Sequence, residues 1–157
     1  MNRFVMFLCA QLAMAGLVAE TIQLTSTREL RIALERGEPV RMVVHYAKCR
    51  LRTAGRTAET APDAVAGMAI GAFEYFAPGA IGNDKGFLAF SASTLIEHRT
   101  YGLVINYVRV RVFDNDAVEI SVQYFKPRTH EPLMRETYSS SLHDGRTDTS
   151  AVYFYRK

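Results

Sequence analysis

The apolar positions of this chain repeat with three different periods, and each period predicts a different element. From Phe4 to Ala19 there is no alternation at all: sixteen uncharged residues follow the single charge of Arg3 and end in small residues before Glu20. This order of charge, apolar run and small residues predicts a secretory signal peptide over residues 1–19, cut after Ala19. The run is short for a membrane span, and no stop-transfer charges follow. Next, Ser26-Thr27-Arg28-Glu29 has the spacing of a capping box, and Leu30, Ala33 and Leu34 fall at i, i+3, i+4. Gly37 and Pro39 then end the pattern, which predicts one short helix at about 27–36.

Beyond Pro39 the period falls to two. Val40, Met42, Val44 and Tyr46 alternate with Arg41, Val43 and His45, as in a half-buried strand. Residues 47–63 show no period and carry Lys48, Arg50, Arg52 and Arg56, so they read as a solvated loop. Ala64–Phe76 is apolar on both faces; Gly67 and Gly71 within it suggest a bulge, sharp coiling or close approach of another backbone. Further strands are predicted at Phe87–Ile96, Leu103–Phe113, Val118–Phe125, Arg135–Leu142 and Ala151–Tyr155. The fold class is therefore mostly β (α+β): one short N-terminal helix, then about seven mainly antiparallel strands in a coiled sheet or small barrel.

One hairpin can be given a register. Val104, Val108, Val110 and Val112 form one apolar face, and Val118, Ile120, Val122 and Tyr124 its partner. The faces match only if paired numbers have an even sum. A three-residue loop, Asp114-Asn115-Asp116, meets this condition and sets Val112 against Val118, Val110 against Ile120 and Val108 against Val122. Arg111 then faces Glu119 on the polar side, while Asn106 falls opposite Tyr124 on the apolar side. An amide there needs a polar partner. Phe90, Asn106, Val108 and Tyr124 are the candidate lining of an internal cavity.

Composition narrows the class without naming a chemistry. The 157 residues are 48% hydrophobic and 22% charged, which suits a single globular domain, here residues 20–157. Losing Arg3 with the leader takes 19 basic residues to 18 against 16 acidic, a net charge of +2. That is too weak to argue for nucleic acid, and no aromatic residue interleaves the basic stretch. Cys9 leaves with the leader, so Cys49 is the one cysteine of the mature chain. A disulfide scaffold is excluded; Cys49 reads as buried, or as an intermolecular link giving either a monomer or a Cys49-linked dimer. His45, His98, His130 and His143 show no metal spacing. A Cys49–His45 dyad on one extended strand would span about 13 Å, too far for proton transfer. Glu74 and Glu136 cannot be assigned to a face, so carboxylate chemistry stays open. No catalytic, cofactor-binding or metal-binding residue is assigned, and no cofactor is expected.

The order of short motifs resembles the VirK family of small exported proteins. It opens at Glu29–Val40, a helix, Gly, x, Pro-Val and strand sequence leading to Tyr46 and Cys49. It continues through Gly67–Phe76, Phe87–Ser91, Asn106–Val110 and Phe125-Lys126-Pro127 to Glu131-Pro132, within about residues 28–145. Phe-Glu-Tyr-Phe-Ala-Pro-Gly, at 73–79, points to an animal-type member. The resemblance implies export and a compact β-rich domain; it implies no established activity and carries over no catalytic residue. Three functions follow as expectations: a secreted, extracellular, non-enzymatic protein that binds a protein or small apolar ligand; a venom or secretory-gland component; and a hydrolase with an unrecognised site.

Overall fold

A computed structural model describes residues 20–53, 56–57, 60–146 and 148–157. The leader predicted at 1–19, Cys9 included, lies outside the described residues. Among the described residues eleven strand segments form two antiparallel sheets, accompanied by one α-helix. The smaller sheet holds β1 (Ile22–Leu24), β11 (Val152–Arg156), β2 (Val40–His45) and β5 (Val65–Ile70), in that spatial order. The larger runs β4 (Arg56–Thr57), β3 (Arg50–Thr53), β10 (Pro132–Ser141), β9 (Ala117–Phe125), β8 (Gly102–Phe113), β7 (Phe87–His98) and β6 (Glu74–Phe76). Both sheets are open, with β4 and β6 as the edges of the larger. The small-barrel alternative is thus replaced by two sheets around one core.

The count of seven strands was too low for reasons visible in the residues. The patternless stretch expected as a loop contains β3 and β4. Of β3 only Leu51 points inward, and one apolar residue among arginines shows no period. Ala64–Phe76 is two strands in different sheets, and the chain changes sheet at Gly71–Phe73. Close approach of another backbone occurs at Gly67, where a Cβ would lie 3.1 Å from the Met42 carbonyl oxygen. The three residues of β1 are too few to display a repeat.

The helix, α1 (Thr27–Glu35), matches the predicted segment and buries Thr27, Leu30, Ala33 and Leu34. Ser26 Oγ accepts from the Glu29 amide at 3.3 Å, one half of the expected box. The other half is displaced by one residue: the Glu29 carboxylate accepts from the Thr25 amide at 2.7 Å. At the far end Gly37, with φ 74°, lets the Glu38 amide reach back to the Ala33 carbonyl.

The β8–β9 hairpin has the register derived above, with Val112 opposite Val118, Val110 opposite Ile120, Val108 opposite Val122 and Asn106 opposite Tyr124. Arg111 and Glu119 approach to 3.8 Å on the polar face. The loop closes with Asp116 in the left-handed region (φ 63°), a frequent conformation for the last residue of a three-residue hairpin loop. Asp116 also does something no local pattern shows. Its Oδ1 accepts from the Thr27 amide at 2.7 Å and lies 2.8 Å from the Thr27 hydroxyl, so the hairpin tip caps the helix from 89 residues away.

Helix and sheets share one apolar cluster. Leu30 and Leu34 belong to the same buried cluster as Val40, Val44 and Phe154 of the smaller sheet and Leu88, Phe90, Val110 and Ile120 of the larger. Phe90 and Phe154 meet edge to face across the sheets, with ring centroids 6.3 Å apart. The helix therefore fills the space between the sheets at the end marked by the Asp114–Asp116 turn.

Candidate functional site

Toward the opposite end of the same hairpin, the space between the sheets is not filled. Asn106 lies seven residues from Phe113, roughly 23 Å along an extended strand. There the two sheets enclose a part-open pocket of about 340 Å³. Small residues border it: Ala64 just before β5 and Ala66 on β5 on one side, and Ala92 on β7 on the other. Met42, Val44 and Met68 supply one apolar wall, and Val108, Val122 and Met134 the other. Ligand pockets generally start near 300 Å³ and combine apolar walls with a few polar groups, and this one has that composition.

Its polar groups come from strict alternation on three neighbouring strands. On β10, Met134, Glu136 and Tyr138 face the pocket, while Arg135 turns outward and donates to Gln123 Oε1 at 3.1 Å. On β9 and β8, Tyr124 and Asn106 are the inward pair that ends the valine ladder. Tyr138 donates to Glu136 Oε2 at 2.6 Å, and its ring lies 4.5 Å from that of Tyr46. The Asn106 side-chain oxygen is shielded and has no hydrogen-bond partner among the described residues.

Burial raises the Tyr46 hydroxyl to about 12, with further contributions from Cys49, Tyr124 and Glu136. It raises Tyr138 as well, reinforced by the hydrogen bond to Glu136, and Tyr124, where Glu136 and Tyr101 add to it. The three tyrosines are thus neutral phenols at physiological pH, and among the described residues Glu136 is the one formally charged side chain lining the pocket.

Of the four proposed lining residues, Asn106, Val108 and Tyr124 line this pocket. Phe90 does not. It is a core ring, 5% exposed, and its other edge borders a shallow depression with Phe73, Glu74 and Arg109 on the outside of the larger sheet. Glu74 is exposed on edge strand β6, so among the described residues no second carboxylate joins Glu136 in the pocket. Tyr46 and Tyr138 are pocket residues that sequence reasoning left out, and Glu136 is one it named without assigning it to a face. Alternation along 132–141 placed Met134, Glu136 and Tyr138 on one face, and that signal was available. That β2 lies over that face was not.

Cys49 belongs to the core, 9% exposed, with its Sγ 3.7 Å from the His45 carbonyl oxygen. The assumption of an extended chain between these residues fails, because Tyr46–Lys48 forms a 3₁₀ turn. The dyad still does not form: the His45 ring packs outside, edge to face with Tyr153 at 5.4 Å. Desolvation pushes the Cys49 thiol up to about 11, so very little thiolate exists at neutral pH. With residues 1–19 and their Cys9 omitted, maleimide should leave Cys49 unmodified in buffer and label it fully in guanidinium. Labelling at the rate of a free thiol in buffer, or a reducible dimer on a gel, would contradict this burial.

Among the described residues no group of three His, Cys, Asp or Glu side chains is placed to hold a metal, and no helix is long and apolar enough to cross a membrane.

The fold and pocket define a class: a two-sheet antiparallel β domain with one capping helix and a part-open space between the sheets. The sequence model of the VirK protein family matches residues 23–130, more than half of the chain, and the chain belongs to that family. Among solved structures, it is similar to a VirK family protein from Legionella pneumophila, lpg1832. The two share 12% identity over 85% of this chain and 98% of the other, with a TM-score of 0.63. At that identity the likeness is one of fold. No curated protein sequence matches the chain.

Proposed function

We propose that this protein is exported and acts by binding, not by catalysis, with the intersheet pocket taking a small, largely apolar ligand. The observation that carries the reading is the unfilled space between Val108, Val122 and Met134 on one sheet and Met42, Val44 and Met68 on the other. A core of this kind closes on itself where side chains are large enough, as it does around Phe154. Leaving about 340 Å³ open forgoes the packing and burial those walls would otherwise gain. Export is supported by the charge, apolar run and small residues of 1–19.

Both parts of the reading are tested by expressing the full chain in a secretory host and recording mass spectra of the medium. The expected species is a monomer beginning at Glu20, and native spectra should show added mass that denaturing spectra lack. A product that stays in the cell with residues 1–19 attached would overturn the export reading. Native and denatured masses that agree, for protein taken directly from its natural source, would count against a resident ligand.

A further inference from the structure

The walls of the pocket favour one class of ligand over others, and this inference rests on the pocket being a ligand site. Three of its lining residues are aromatic, Tyr46, Tyr124 and Tyr138, and the faces of aromatic rings carry partial negative charge. Its one formally charged lining residue, among the described residues, is Glu136. Among the described residues no Lys or Arg pairs with that carboxylate; its recorded partner is the Tyr138 hydroxyl. The remaining polar wall, Asn106, presents an amide oxygen that is also unpartnered. Among the described residues the site thus offers acceptors and aromatic rings, and no cationic side chain lines it.

Glu136 is half-buried beside Met, Val and Tyr side chains, and a carboxylate partly withdrawn from water gains from a complementary partner. One neutral hydrogen bond supplies that in part. The missing complement is a positive charge with N–H donors. An ammonium group satisfies Glu136 by charge and hydrogen bond and meets the tyrosine faces by cation–π attraction. Its apolar substituent lies against Met42, Val108 and Met134. An anionic ligand would meet Glu136 and three ring faces of the same sign. All three phenols are held neutral by burial, with the Glu136 charge raising each of them further, which agrees with a site hostile to added negative charge.

We infer that the pocket selects small organic amines: a protonated amine on an apolar body, with the nitrogen beside Glu136. Phenylbutylammonium, phenylbutanol and phenylbutyrate differ essentially in the head group, so titrating each into the mature protein isolates the charge. Methyl resonances of Val108, Val122 and Met134 report both affinity and location. The amine should bind about tenfold more tightly than the alcohol, with the carboxylate weakest. In Glu136→Gln, where the amide oxygen still accepts from Tyr138, that tenfold difference should vanish while alcohol binding is retained. The alcohol or carboxylate binding as tightly as the amine, at these methyls, overturns the amine assignment and leaves the pocket a ligand site. A preference for the amine that survives Glu136→Gln removes Glu136 from the assignment. No shift with any of the three probes overturns the pocket reading together with this one. The wild-type comparison stands by itself if the variant does not fold.

Discussion

Phe154→Ala should be the most damaging single truncation in the molecule, lowering stability by about 3–5 kcal/mol. Phe154 is fully buried and sits on β11, the strand bracketed by β1 and β2. Its register partners are Leu24 on one side and Met42 on the other, and Phe90 meets it edge to face from the opposite sheet. Removing the ring leaves a cavity walled by both sheets, and neither can collapse alone without breaking its ladder. For a domain of this size the loss corresponds to a fall in melting temperature on the order of 10–15 °C. It is also a large share of the roughly 5–15 kcal/mol that holds a typical domain folded. Phe154→Leu, which keeps most of the volume, should cost less than half as much. Ile81→Ala, at a position 64% exposed, should fall within about 0.5 kcal/mol of the parent. Thermal and urea melts of the three variants check the ranking. A Phe154→Ala variant as stable as Ile81→Ala would refute a shared core between the sheets.

Asp116→Ala is expected to cost about 2–4 kcal/mol, although the residue lies at a hairpin tip. Two effects add. The carboxylate that accepts from the Thr27 amide is charge-assisted and sits at a helix N-terminus, a favourable place for an anion. Alanine also tolerates the left-handed backbone at φ 63° less well than aspartate. The effects separate by substitution. Asp116→Gly relieves the backbone and still loses the cap, so it should cost about 1 kcal/mol less than alanine. Asp116→Asn keeps an acceptor and the conformational tolerance and should be the mildest. Equal melts for Ala, Gly and Asn would show that the hairpin does not hold the helix.

Much of this architecture is legible because it is local. The helix boundaries follow from Ser26, Glu29 and Gly37, all within the helix or one turn of it. The β8–β9 register follows from parity: only a three-residue loop brings Val112, Val110 and Val108 against Val118, Ile120 and Val122. The VirK motif order, from Glu29–Val40 through Asn106–Val110, likewise needs no geometry to be seen. The failures are of another kind. Arg50-Leu51-Arg52-Thr53 is a strand because β10 offers it an edge, and one buried leucine does not announce that. Ala64–Phe76 is a single apolar run in sequence, yet two strands in different sheets, because the turn at Gly71–Phe73 is set by what each half pairs with.

The sequence by itself therefore determined the short-range order: one capped helix, the alternating strands and the register of the β8–β9 hairpin. Those depend on periods of 3.6 and 2 and on turn chemistry, which act over a few residues. Tertiary structure alone decided which strands share a sheet, that the sheets stay open, and that Asp116 reaches the helix it caps. It alone decided that Tyr46, Glu136 and Tyr138 converge on the space beside Asn106, Val108 and Tyr124 while Phe90 is drawn into the core. Each of these joins residues tens of positions apart, and such joins are set by the packing of whole faces, which no local period encodes.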